Sequence, residues 1–369
     1  MHFLRNTWYA AAHAQEIKTG VLFHRTILNE HVLLFRNASA EAVALADRCP
    51  HRFVPLHLGK LDAGIVECAY HGLKFDDSGR CVANPHGNGV IPKQARVKRY
   101  PLVERHGMLW IWMGDAEQST PASIPHFGSL DSKTWKILRG YSSIAANYLL
   151  ETDNILDLGH IEFVHPGFFG SEAIHRAKTE VVQEGTTVYS NRLTNNELLP
   201  PFLDKAFDAR GKPVDRWLNT RWNAPALMEL DVGATLTGRP HSEGRSAPSC
   251  HFFTPETEQK THYFWTQSRD FSRDDAALDA EIIQGTTYAF EMQDKPIVEA
   301  QQSNIGDADF MSLRPILLSG DAAAARARKV LDKLIREERE ASSASETVGV
   351  RRTMAPVLGD GSPDPDLEV

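Results

Sequence analysis

The sequence predicts an α+β protein of two units, an N-terminal all-β unit and a larger C-terminal unit in which strands are followed by helices. Three observations carry this. The chain has 369 residues, beyond the roughly 100 to 200 residues of one ordinary domain. Before residue 114 the apolar runs are short and broken by Gly, Pro, Asn and Asp, the punctuation of strands and turns. After residue 126, strand-like runs give way late in the chain to helical periodicity, without the alternation of βαβ units.

In order along the chain, residues 32–35, 42–46 and 107–112 read as strands of the first unit, residues 1–114. Residues 115–125 turn polar and proline-rich, as a linker does. The second unit, 126–340, contains a helical stretch at 148–164, where Leu149, Ile155, Leu158 and Ile161 recur at near-helical spacing. Strands follow within 227–236 and 251–264, and helices within 274–302 and 321–339. Residues 341–369 have few large apolar side chains to offset the entropy of ordering and are expected to form a flexible tail.

Composition narrows the function. Hydrophobic residues at 42% and charged residues at 24% fit a soluble globular chain. A net charge of -8 with only short mixed-sign runs lacks the clustered Lys and Arg that bind phosphates, so nucleic acid is excluded as a partner. The first sixteen residues lack the apolar core of a secretion signal. No stretch approaches the roughly eighteen apolar residues of a membrane span, and the expected location is the cytoplasm. Four cysteines are too few for a disulfide scaffold, and in a reducing compartment a close Cys pair points to metal or redox chemistry.

Cys49-Pro50-His51 is followed, after sixteen intervening residues, by Cys68-Ala69-Tyr70-His71-Gly72. Each loop offers one thiolate and one imidazole. That division suits a 2Fe-2S cluster with Cys on one iron and His on the other, since neutral imidazoles raise its reduction potential. A zinc knuckle is the alternative, but such sites usually pair Cys with Cys and His with His. Gly72 permits a tight turn behind the ligands; Pro85, Gly87 and Gly89 form either a third loop shielding the sulfurs or an ordinary surface turn. His57 and His86 fall outside the ligand spacing, and Cys81 and Cys250 read as small buried hydrophobes. The two ligand loops resemble those of the Rieske iron-sulfur domain.

A second centre is suggested by Asn154, Asp157, His160 and His165. The first three recur at i, i+3 and i+6, along one side of a helix. His165 lies off that face, but Pro166 disfavours helical backbone at the residue before it, so the helix can end there and turn the imidazole back. Two His and one carboxylate, with positions left open for oxygen, make the ferrous non-heme triad. The order H-x-E-x-x-H differs from the H-E-x-x-H of zinc hydrolases. The many carboxylates of the second unit leave the third ligand open.

The combination N-x-x-D-x-x-H-x-x-x-x-H, with Arg5-Asn6-Thr7-Trp8-Tyr9, Asn84-Pro85-His86-Gly87-Asn88-Gly89 and Thr254-Pro255-Glu256-Thr257-Glu258, is similar to the Rieske oxygenases that demethylate vanillate and dicamba. The likeness runs from Arg5 to about Arg339. It implies a Rieske domain followed by a helix-grip catalytic domain, an antiparallel sheet with helices. It implies Cys49, His51, Cys68 and His71 as cluster ligands, and His160, His165 and Asp294 as ligands of a mononuclear Fe(II). Pro296 kinks the Asp294 helix or starts a new one. Asp157, with Asn154 beside it in the catalytic set, is the implied carboxylate link between centres in a homotrimer: facing His71 of a neighbour, it accepts the outer N–H of a His at each centre. The implied reaction uses O2 and electrons from NAD(P)H. A separate reductase and ferredoxin deliver them, since no G-x-G-x-x-G appears here. One oxygen atom enters an alkyl carbon next to a heteroatom, and the product collapses to an aldehyde and a dealkylated aromatic. Ring hydroxylation by the same two metals is the alternative, and an electron carrier without catalytic iron is a further one.

Candidate walls of the substrate pocket are Ile155, Leu158, Leu230, Val232, His251, Phe253, Gly285 and Tyr288, of which His251 is able to hydrogen-bond a polar group. No Arg or Lys falls among them, which favours a neutral or weakly polar aromatic such as an aryl ether or N-alkyl anilide over a benzoate.

Overall fold

The structure is a computed structural model and describes residues 3–353. Its first half holds three small antiparallel sheets. One orders Phe23–Ile27, Glu30–Arg36, Ala42–Ala46 and Arg99–Tyr100; a second orders Lys60–Asp62, Ile65–Glu67, Lys74–Phe75 and Cys81–Ala83. Leu33, Phe35, Val43, Leu45, Leu56, Val66 and Phe75 make a buried cluster that includes Cys49 and Cys68. The third sheet, Trp8–His13, Met108–Trp112 and Leu102–Arg105, faces the second half of the chain.

That half is built on an eight-stranded antiparallel sheet. Its order is Lys136–Ile144, Lys260–Arg269, Ser249–Thr257, Leu227–Leu236, Val214–Asn223, Thr187–Glu197 and Thr179–Glu184, with Arg245–Ser246 beside Leu227–Leu236. Thr187–Glu197 shows mainly alternating burial, the pattern of a strand with one wet face. Ser249–Thr257 and Lys260–Arg269 are buried on both faces along most of their length. Phe252 and Phe264 pack against Trp8, Trp110 and Trp112 of the third small sheet, while Phe253, Tyr263 and Trp265 pack toward the helices. The halves are also joined through the backbone, with Leu28 N donating to Pro255 O and Asn29 N to Glu256 O, both at 2.9 Å.

Five helices position the site: α1 (Tyr148–Leu156), α2 (Ile161–Val164), α3 (Ala276–Tyr288), α4 (Lys295–Ile305) and α5 (Ala322–Thr353). α5 lays Ala323, Ala324, Ala327, Val330 and Leu331, one helical stripe, into the core.

Two expectations need correction. The helix expected through 148–164 breaks at Asp157, whose carboxylate accepts from Gly159 N at 2.9 Å and opens a separate 3-10 turn, Leu158–His160. Asn154, Asp157 and His160 therefore do not share one helix. The tail expected from residue 341 begins as a continuation of α5 to Thr353. Ser342 and Ser343 satisfy their hydroxyls within the helix, on the carbonyls of Glu338 and Arg339 at 2.9 Å each. Residues 354–369 lie outside the described residues. Among the described residues no helix is long and apolar enough to cross a membrane.

Candidate active site

Cys49 and His51 sit in the loop after Ala42–Ala46, and Cys68 and His71 in the turn between Ile65–Glu67 and Lys74–Phe75. Each loop is closed by its own backbone. Cys49 N donates to Val54 O at 2.9 Å, and Cys68 N to Leu73 O at 2.9 Å; Gly72 N returns to Cys68 O at 3.0 Å. Both cysteines are 2% exposed, and the rings of His51 and His71 lie 4.5 Å apart. His71 Nδ1 is buried without a hydrogen-bond partner, a lone pair free for a metal. Burial pushes the Cys49 thiol up to about 11, a penalty on the bare thiolate that a cluster iron relieves with its positive charge. Gly72 adopts φ +69°, and a Cβ there would stand 3.2 Å from Pro85 Cγ, so the segment carrying Pro85 lies against the second ligand loop. His86 Nε2 lies 2.8 Å from the His71 carbonyl oxygen.

His160 closes the 3-10 turn, and His165 caps α2 at φ −118°, ψ 50°, the non-helical backbone that Pro166 favours. Asp294 comes from far along the chain, at the end of a π-helical turn, Ala289–Asp294, between α3 and α4. There Lys295 N bonds Phe290 O, one residue wider than an α turn. Pro296 has no N–H to complete an α turn and its ring crowds the carbonyl four residues back, so the wider turn relieves it. The same turn brings two successive side chains to one centre. Gln293 Oε1 lies 2.9 Å from His165 Nδ1, while Asp294 Oδ2 lies 3.2 Å from His165 Nε2 and its Oδ1 lies 3.6 Å from His160 Nε2.

The ligand atoms of His160, His165 and Asp294 all lie within 4.8 Å of one another. His160 Nδ1 is held by the Asp157 backbone oxygen at 2.7 Å and His165 Nδ1 by Gln293, so both Nε2 atoms are aimed at Asp294. Asn154 Nδ2 donates to Asp294 Oδ1 at 3.4 Å. Burial holds the His160 imidazole below its ordinary value. At His165 burial pulls the same way, but the hydrogen bond and charge of Asp294 outweigh it and raise the pKa. The cluster thus favours positive charge between the carboxylate and the imidazoles, and two nitrogens with one oxygen suit ferrous iron.

Beside the cluster, the Asp157 carboxylate lies 3.7 Å from Arg192 Nη2. Gly320 passes so close that a Cβ there would stand 2.6 Å from Asp157 Oδ1.

A pocket of about 1010 Å³, counting its open mouth, reaches His160, His165 and Asp294. Its walls are mostly apolar, with Phe169, Phe202, Phe207 and Phe290 among them. One wall is polar. His251 Nδ1 lies 2.6 Å from Tyr263 Oη and Nε2 lies 2.8 Å from Ser249 Oγ. Burial holds the Tyr263 phenol well above its usual value, so it keeps its proton. His251 is its only hydrogen-bond partner among the described residues. With the hydroxyl donating to Nδ1, the ring proton sits on Nε2 and goes to Ser249 Oγ, leaving the Ser249 proton free for the pocket.

Two family models match the chain: the Rieske [2Fe-2S] domain over residues 7–101 and the vanillate O-demethylase oxygenase C-terminal domain over residues 144–337. The chain is 39% identical to the iron-sulfur subunit of a toluene-4-sulfonate monooxygenase system from Comamonas testosteroni, over 91% of this chain and 98% of that one. It is 37% identical to the oxygenase component of a chloroacetanilide N-alkylformylase from Rhizorhabdus wittichii, over 91% and 97%. A crystal structure of dicamba monooxygenase bound to 3,6-dichlorosalicylic acid superposes with a TM-score of 0.87 at 35% identity, covering 92% of this chain and 99% of that one. The chain belongs to the Rieske non-heme iron oxygenases.

The cofactors of such an oxygenase are the Rieske 2Fe-2S cluster and a mononuclear non-heme iron, and the two residue sets above fit them. The link expected of Asp157 takes a different form within this Rieske oxygenase chain: His160 bonds the Asp157 backbone oxygen rather than its carboxylate. Of the expected pocket walls, Ile155, Leu158, Leu230, Val232 and His251 line the pocket. Phe253, Gly285 and Tyr288 do not. Phe253 is consumed by the core, its ring 4.5 Å from that of Tyr263. Gly285 lies beneath Phe168, whose ring a Cβ would meet at 2.3 Å, and Tyr288 points to solvent at 56% exposure. Arg216 and Arg269, outside the expected set, also line the pocket. Each is paired, Arg216 with Glu197 at 3.4 Å and Arg269 with Asp279 at 2.5 Å. Sequence reasoning missed Ser249 and Gln293. Gln293 was signalled only by its place beside Asp294, and nothing in the strand pattern marks Ser249.

Proposed function

We propose that this oxygenase oxidatively dealkylates a substituted aromatic that carries a hydrogen-bond acceptor, such as a carboxylate, sulfonate or carbonyl. The observation that carries the reading is the His160, His165 and Asp294 cluster opening onto an apolar pocket, in a chain that also offers two Cys and two His in paired loops. When bound, the two iron groups supply stored electrons and the activation of O2. The chain's own residues do the rest. The phenylalanines bury the ring and exclude water. Ser249, oriented by His251 and Tyr263, donates to the acceptor and fixes which alkyl carbon faces the metal ligands. Asn154 steadies Asp294, and Gln293 steadies His165.

The relatives support a choice among neighbouring chemistries: those of the vanillate O-demethylases, the chloroacetanilide N-alkylformylase and the toluene-4-sulfonate monooxygenase. The proposal includes a separate ferredoxin and an NAD(P)H reductase as electron donors, and a homotrimer in which Asp157 faces His71 of a neighbouring copy.

The test is aldehyde release from a panel of methoxybenzoates, arylsulfonates, aryl ethers and N-alkyl anilides, with iron-loaded protein and a surrogate ferredoxin and reductase. Aldehyde with a dealkylated product is expected. Ser249→Ala should raise KM for acceptor-bearing substrates by roughly 5- to 10-fold, the equivalent of one hydrogen bond of about 1 to 1.4 kcal/mol, with little change for plain aryl ethers. A hydroxylated ring without aldehyde would replace dealkylation by ring hydroxylation.

A further inference from the structure

Away from both iron centres, three side chains converge where the two halves of the chain meet. His106 lies in the turn between Leu102–Arg105 and Met108–Trp112, at φ +59°. His126 follows in the connection between halves, and Asp131 ends the one-turn helix Gly128–Asp131. The His106 side chain is fully buried, held edge-on against Phe127 at 5.5 Å and Trp110 at 6.2 Å. Neither of its ring nitrogens has a hydrogen-bond partner. Its Nε2 nevertheless faces Asp131 Oδ2 at 3.3 Å, outside hydrogen-bond geometry, and His126 Nδ1 lies 3.5 Å from the same oxygen.

We propose that His106, His126 and Asp131 form a third metal site, which takes a divalent transition ion such as Zn2+ and clips the first half of the chain to the second. A tetrahedral ion with bonds of about 2.0 to 2.1 Å places its ligands about 3.3 to 3.4 Å apart, close to the 3.3 and 3.5 Å that separate Asp131 Oδ2 from the two imidazoles. The three ligand atoms lie within 4.8 Å of one another. Two imidazoles and a carboxylate suit zinc, and a bound ion would satisfy the orphaned His106 Nε2. The ligand backbones are already fixed: Arg139 Nη2 donates to His106 O at 3.0 Å and Arg221 Nη2 to His126 O at 2.6 Å. The side chains of His126 and Asp131 are 67% and 42% exposed, which leaves a route for the ion and room for a water as fourth ligand.

The experiment uses the iron-replete full chain, equilibrated with equimolar Zn2+, gel-filtered and analysed for both metals, beside His126→Ala and Asp131→Asn. Both substitutions are at exposed side chains, and the visible spectrum of the iron-sulfur cluster reports that the fold is intact. The expected result is one retained zinc per chain with iron unchanged, a zinc-dependent rise in Tm, and loss of both in the variants. The fall in zinc affinity should exceed the roughly 10-fold lower bound seen on removing outer-sphere partners. No retained zinc overturns the site. Zinc retained equally by the variants, with iron displaced, also overturns it, because the zinc then sits at the mononuclear centre.

Discussion

The polar wall of the pocket is set by where three protons sit. With the protonated Tyr263 hydroxyl donating to His251, the imidazole is neutral and the Ser249 hydroxyl is free to donate. Burial holds His251 far below its ordinary 6.5, at about 3. The unfolded chain takes up that proton near 6.5 and the folded chain does not, so acid favours unfolding. Stability tied to His251 is complete above pH 6.5 and lost as pH falls toward 3, by up to about 1.4 kcal/mol per pH unit. Denaturant titrations between pH 6.5 and 4.5 should therefore show a shallower loss for His251→Gln than for the parent chain. Parallel losses would contradict the neutral, buried imidazole. At this scale the candidate ligands Cys49, His51, Cys68, His71, His160 and His165 stood out because chemistry restricts them: mixed Cys-His loops and a His before Pro leave few uses, whereas Asp294 came only from the family resemblance. Ser249 was not legible, since its role comes from His251 two residues along its own strand and from a phenol fourteen residues on, on the neighbouring strand.

Among the elements, the break after α1 and the π turn before α4 do the positioning. The break frees the Asp157 backbone oxygen to hold His160, and it leaves the carboxylate beside Gly320. The three atoms nearest a methyl group at Gly320 all belong to that carboxylate, so the methyl displaces it from its place beside His160. Gly320→Ala should retain both iron sites and the melting temperature to within a few degrees, yet lower turnover by roughly 10-fold or more, on the scale of a misplaced positioning group. Unchanged turnover, measured by aldehyde formed at matched iron content, would show that the place of the carboxylate is immaterial. The helical periodicity of 148–164 was real, but it hid the break, because Asp157 competes for a backbone N–H in a way that periodicity does not register. Pro296 did signal an irregular helix. That the irregularity is a π turn aiming Gln293 and Asp294 at one centre follows from tertiary contacts alone.

Over the whole molecule, the strand and helix order and the two-part organisation were legible from punctuation and period. The packing between the parts was not: the Trp8, Trp110 and Trp112 face shares one core with Phe252 and Phe264, a long-range pairing that no local pattern encodes. The proposed trimer gives Asp157 its work between copies of the chain. Asp157→Asn keeps the size of the side chain but removes its charge, so it should leave both iron contents unchanged and abolish turnover; retained activity would dismiss the link. The proposed function joins the iron-sulfur cluster to oxidation of an alkyl carbon in the pocket above His160, His165 and Asp294. A single turnover of chemically reduced, iron-loaded protein with an aryl ether or N-alkyl substrate and O2 tests it without any partner protein. The expected result is reoxidation of the cluster in step with formation of aldehyde and dealkylated aromatic. Reoxidation that yields no aldehyde, whatever the substrate offered from the panel, would contradict it.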